Sequence, residues 1–144
     1  MAQVTCDDIP LEQVKSFRYL DSIISVECDC RTEMKARLGM ARSTAKSLTN
    51  LWKDRSLNLQ LKSRLMQTLV WPVATYGCES WTIQASHSNR LAAFEMDMYR
   101  RMIRLSWTEH RTNKSILEKL KTTCRFLAEV KKKEIAILRP CSPN

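Results

Sequence analysis

The sequence predicts a mainly α fold: a small N-terminal β-hairpin followed by a bundle of about four to five helices. Three observations carry this. Only two of the 144 residues are glycine, Gly39 and Gly77, which leaves few tight turns of the kind that need positive φ and disfavours β-sandwiches and glycine-rich phosphate loops. From Arg31 onward, apolar residues recur at spacings of three and four, the helical period. Strand-like sequence, rich in β-branched and aromatic residues, is concentrated in the first 25 positions.

Taken in order, residues 2–6 (AQVTC) and 14–25 (VKSFRYLDSIIS) read as strands of a hairpin or small β-unit, separated by DDIPLEQ. SVECDC then turns into a first helix, where Met34, Leu38, Ala41, Ala45, Leu48 and Trp52 form an amphipathic stripe. Gly39 weakens that helix slightly. Ser56 or Asn58 is placed to cap a second helix from Leu59 toward Tyr76, which Pro72 must kink or restart. YGCESWTIQASHS is a connection with room for a short strand. A third helix follows near Asn89 to Leu105, a short fourth begins at Thr112 or Asn113, and a fifth covers about Cys124 to Leu138. RPCSPN cannot continue it. The implied division is a β-unit at 1–27, a helical region at 28–139 and a loose tail at 140–144.

The third helix is the most informative segment. Leu91, Phe94, Met98, Met102 and Leu105 share one stripe, and Ala92, Met96, Tyr99 and Ile103 form a second. Two apolar stripes predict a helix clamped between neighbours. The remaining arc carries Arg90, Arg100, Arg101 and Arg104, with Asp97 among them. On the first helix Arg31, Lys35, Arg42, Lys46 and Lys53 fall within about 60° of arc beside the apolar stripe.

The net charge is +9, and it is unevenly placed: residues 1–30 hold two basic and six acidic side chains, a balance of −4, while the rest reaches +13. A basic helical body of this kind favours a polyanion, nucleic acid above all. Basic stripes beside buried stripes suit a phosphate backbone, although for either helix alone a solvated face is the plainer reading.

Little in the chain suggests catalysis. Asp7-Asp8 is the only adjacent acidic pair, and with Pro10 nearby it reads as a polar turn rather than a metal site. Cys28-x-Cys30 with Cys78 and His87 lacks the paired spacing of structural zinc. His110 stands among polar residues. Six cysteines without a signal sequence read as free thiols in a reducing compartment, nuclear or cytoplasmic, and no run approaches a membrane span.

Four stretches, in order, resemble one family. VKSFRYLDSIIS resembles the FKYLGS-type segment of reverse transcriptases from non-LTR (LINE-type) retrotransposons. EMKARLGMARSTAKSLTNLWKDRSL resembles the helix that follows it there. LKSRLMQTLVWPVATYGCESWT resembles the TLVxPVxxYGxExW element, and RLAAFEMDMYRRMIRLSWTEHRTN is similar to the family's LExFEMxxYRRMLRxSWTxxxTN stretch. The likeness runs from Val14 to Leu120. It implies a primer grip containing Phe17, Tyr19 and Leu20, followed by thumb helices that clasp an RNA–DNA or DNA template–primer. It also implies a longer parent protein, an RNA-directed DNA polymerase using Mg²⁺, whose palm and fingers lie outside these residues. The family's YxDD motif is not matched by Asp7-Asp8, which stand only just ahead of Phe17. No cofactor is implied for the thumb region itself, and no extension activity is expected from this chain alone. Two departures stand out: the family's glycine after YL is Asp21 here, and EVKKKEIAILRPCSPN leaves the family pattern after its basic start. The other functional readings of these residues are a small helical protein-interaction module and a non-functional relic.

Overall fold

The computed structural model describes residues 5–6, 9–26 and 30–138. It is mainly α. Two short antiparallel pairs precede the helices. Strand β1 (Thr5–Cys6) pairs with β2 (Ile9–Pro10), and β3 (Ser16–Tyr19) pairs with β4 (Ser22–Ser25), with Phe17 opposite Ile24 and Tyr19 opposite Ser22. Residues 2–6 and 14–25 are therefore not each other's partners. The 14–25 stretch folds back on itself at Leu20-Asp21, because two residues with positive φ (46° and 63°) reverse the chain there. This is the pattern of a type I′ turn, and Asp21 occupies a position that favours glycine.

Helix α1 (Arg31–Ser47) ends at Leu48, and α2 (Thr49–Lys53) restarts at once. The expected helix over Leu59–Tyr76 becomes α3 (Leu59–Leu65), a π-helical turn (Met66–Val70) and α4 (Trp71–Ala74). Asn58 caps α3, its side chain accepting from the Leu61 amide at 2.7 Å. The wide turn immediately precedes Pro72, whose ring and missing N–H disturb a regular ladder. Residues 78–80 form a 3₁₀ turn where a short strand had room. Helix α5 (Ala85–Ile103) starts four residues before the apolar pattern does, because Gln84 and His87 form a reciprocal cap. Helix α6 (Asn113–Leu120) is capped by Thr112, and α7 (Phe126–Leu138) follows a short loop.

Helix α5 is the centre of the core. It packs against α1, α2, α3, α6 and α7. Leu91, Phe94, Met98 and Met102 are buried, and so are Met96 and Tyr99 of the second stripe. Phe126 sits between Phe94 (ring centroids 5.3 Å apart) and Trp71 (5.4 Å, edge-on). Glu95 is buried as well, which the apolar pattern did not indicate. Its Oε1 accepts from the Tyr99 hydroxyl (3.0 Å) and from the Arg125 and Phe126 amides (2.9 and 3.2 Å), so it satisfies the open N-terminus of α7 from a neighbouring helix. Burial, then the Glu95 carboxylate, raise the Tyr99 pKa well above its ordinary value.

The β3–β4 hairpin docks through polar groups. Glu33 Oε2 accepts from the Ile23 amide at 2.9 Å, and Glu33 Oε1 pairs with Arg37 Nε at 2.8 Å. Arg37 also donates to the Asp21 carbonyl and lies over the Tyr76 ring at 4.4 Å. Tyr76 donates to the Leu20 carbonyl at 3.3 Å. Gly77 (φ 68°) lets the body approach, since a Cβ there would stand 3.0 Å from Ser22 Oγ.

Candidate nucleic-acid interface

Counting about 100° per residue around α1, the buried stripe of Met34, Leu38, Ala41 and Ala45 spans about 280–340° when Arg31 is set at zero. Arg31, Lys35, Arg42 and Lys46 lie at about 0–60° on one side of it, all exposed. Glu33 and Arg37, which hold the hairpin, lie at about 200–240° on the other side. The break at Leu48 takes Lys53 off this wheel. It is exposed on α2, but helical counting from Arg31 does not carry through to it.

Helices α1 and α5 meet along their basic edges. Arg42 Nε stands 3.4 Å from Asp97 Oδ2, and Arg101 Nη2 stands 4.0 Å from Asp97 Oδ1. The Arg42 guanidinium also covers the Phe94 ring at 5.3 Å. The two stripes predicted separately are thus one seam, joined at a shared carboxylate. Arg104 ends α5 with φ 60° and is exposed. Arg100 is engaged by α6, donating to Asn113 Oδ1 at 2.7 Å.

Next to the seam lies an open cleft of about 580 Å³, lined by Asp97, Arg100, Arg101, His110, Arg111 and Thr112 among others. His110 and Arg111 belong to the loop before α6 and had no part in the helical stripes. Their only signal in the sequence was the polar run EHRTNK, which shows no period from which a face could be assigned. Arg111 is partly engaged by Glu109, at 3.4 Å.

Phe17 and Tyr19 share one face of β3, with ring centroids 6.0 Å apart and each more than half exposed. Leu20 is the exposed tip of the turn. The hairpin and the basic seam therefore flank the core face of α1 on opposite sides. They do not form one continuous strip on that helix.

Among the described residues, no three His, Cys, Asp or Glu side chains cluster to hold a metal ion. Of the cysteine–histidine set considered above, Cys30 and His87 do meet: Cys30 Sγ is 3.7 Å from His87 Nδ1, with the Thr82 carbonyl 3.4 Å from the sulfur. Cys28, Asp7 and Asp8 lie outside the described residues. Cys78 is buried, and burial raises its pKa to about 11, so it is a neutral thiol near pH 7. No helix among the described residues is long and apolar enough to cross a membrane. No family model, no curated protein and no solved structure matches this chain.

Proposed function

We propose that this chain binds the phosphate backbone of nucleic acid through the seam of α1 and α5, as a thumb-like unit of the non-LTR retrotransposon reverse transcriptase type. The observation that carries the reading is the junction at Asp97, where Arg42 of α1 and Arg101 of α5 meet and align two basic faces within a segment of charge +13. A single solvated stripe is commonplace. Two stripes brought edge to edge beside an arginine-lined cleft offer a duplex a row of cations, and phosphate contacts position a duplex without reading its sequence. The ligand in this reading is a template–primer, RNA–DNA or DNA. Binding is non-specific, and polymerisation belongs to a palm that these residues do not include.

The test is a salt titration of binding to a labelled primer–template. Each phosphate neutralised contributes about −0.9 to the log–log slope on duplex DNA. Replacing Lys35, Arg42 and Lys46 with Gln, or Arg101 and Arg104 with Gln, is expected to weaken every sequence alike and flatten the slope. Glu118→Gln on α6 is expected to change neither. Unchanged slopes in both basic variants would return the stripes to the status of solvated faces.

A second reading draws on a different observation. Phe17, Tyr19, Leu20 and Ile24 are all more than half exposed on a two-stranded unit with open edges, which suits a helical protein-interaction module. Salt-insensitive binding to a protein, lost on Phe17→Ser, is its signature.

A further inference from the structure

We propose that Asp97 is an internal competitor for phosphate, a carboxylate that holds the two central arginines of the seam until a nucleic acid displaces it. The inference rests on the phosphate-binding reading and assigns a regulator to that surface.

Asp97 is the carboxylate at the junction. It touches Arg42 at 3.4 Å and Arg101 at 4.0 Å, and it also lines the cleft with Arg100, His110 and Arg111. The three side chains of the junction remain 46, 37 and 38% exposed for Arg42, Asp97 and Arg101. Exposed pairs of this kind contribute little to folding, so stability gives no strong reason for an acidic residue here. Its effect on an incoming anion is larger. A phosphate placed against Arg42 or Arg101 comes within a few ångströms of the Asp97 charge, well inside the screening length of about 8–10 Å at moderate salt. Two of the cations best placed for a backbone are thus already occupied. A lone phosphate must displace the carboxylate to reach either arginine, whereas a duplex adds contacts to the exposed Lys35 and Lys46 of the same stripe that offset the displacement. A duplex that spans α1 and α5 can offer phosphates to both arginines together and release Asp97 once. The carboxylate therefore keeps affinity below what the arginine count allows and favours extended polyanions over single phosphates.

The experiment compares the parent chain with Asp97→Asn on a labelled duplex, with inorganic phosphate as competitor. Asp97→Asn is expected to bind the duplex about two- to tenfold more tightly at low salt, the range set by freeing two exposed ion pairs, one of them an i,i+4 helix pair. Its salt slope is expected to stay close to the parent's, because both complexes neutralise the same phosphates once Asp97 is displaced, and inorganic phosphate is expected to compete better than it does with the parent. In a double-mutant cycle, Arg42→Gln should weaken Asp97→Asn more than it weakens the parent, because in the parent Arg42 is partly occupied. Parent-like or weaker binding by Asp97→Asn, or an additive cycle, overturns the proposal. So does loss of folding in that variant, which would make Asp97 a structural residue. A parent without salt-dependent binding removes the phosphate-binding reading itself. A parent that binds, with Asp97→Asn no tighter, removes this inference alone.

Discussion

Replacing Glu33 with Gln should loosen the hairpin and cost the whole chain a large part of its stability. Glu33 and Arg37 form an ion pair at 2.8 Å with side chains only 5 and 7% exposed. Gln keeps the shape and an acceptor for the Ile23 amide. What it removes is the charge opposite a buried guanidinium. Breaking a buried pair from one side costs about 3–5 kcal/mol, because the remaining ion has lost its counter-charge without regaining water. Arg37 keeps the Asp21 carbonyl and the Tyr76 ring at 4.4 Å, and with Tyr76 half exposed the cation–π contact retains about 1 kcal/mol of attraction. The lower end, about 3 kcal/mol, is therefore the expected loss. Domains of this size are stable by about 5–15 kcal/mol, so the variant still folds. With a urea slope of about 1–3 kcal/mol/M, the unfolding midpoint should fall by about 1–3 M. Urea denaturation followed by circular dichroism reads this, and exchange of the Ile23 amide reads the hairpin directly. A double variant, Glu33→Gln with Arg37→Met, should recover much of the loss, since neither charge is then stranded. A Glu33→Gln midpoint equal to the parent's, or a double variant as unstable as the two single losses added, would refute this account of the docking.

Other expectations follow from the core, the turn and the thiols. Phe94→Ala should cost about 3–5 kcal/mol and Met98→Ala about 2–5 kcal/mol in the same denaturation assay, since both side chains are fully buried on α5; parent-like midpoints would mean that α5 is not clamped. Changing Leu20-Asp21 to Asn-Gly should raise stability by about 1 kcal/mol, because both positions have positive φ and L side chains without a local hydrogen bond are strained there. A fall in the midpoint would contradict that assignment. Iodoacetamide at pH 8 should label the exposed Cys124 well before the buried Cys78, as mass spectrometry of the native protein would show. Cys78 carries a folded pKa of about 11 against an ordinary 9.0. Its contribution is thus complete below about pH 9 and is lost as pH rises toward 11, because the unfolded state gives up its proton first. The contrary result would be a Cys78→Ala variant showing the same loss of stability between pH 9 and 11 as the parent.

Much of this protein was determined by the sequence alone. The period of three and four named the buried faces of α1 and α5, down to Met34, Leu38, Phe94 and Met98, because burial of an apolar stripe is a local property of a helix. Two helix starts were legible to within a residue or two, because a cap bonds within its own first turn: of Ser56 and Asn58 it is Asn58 that caps α3, and of Thr112 and Asn113 it is Asn113 that begins α6. The scarcity of glycine and the concentration of strand-like sequence at the N-terminus were enough to predict a mainly α chain. What remained hidden were relations between segments distant in sequence. Nothing local says that Glu95 will cap α7 thirty residues later, or that Glu33 and Arg37 will be buried under a hairpin, since charged residues on a helix read as solvated until a neighbour covers them. Both basic stripes were legible, but their junction was not. That Arg42 and Arg101 share one carboxylate depends on how α1 crosses α5, and that crossing is decided by the packing of Phe94 and its neighbours rather than by any spacing along the chain. The placement of Phe17 and Tyr19 on the far flank of α1 from the seam is likewise a tertiary fact, set by where the Glu33–Arg37 pair holds the hairpin.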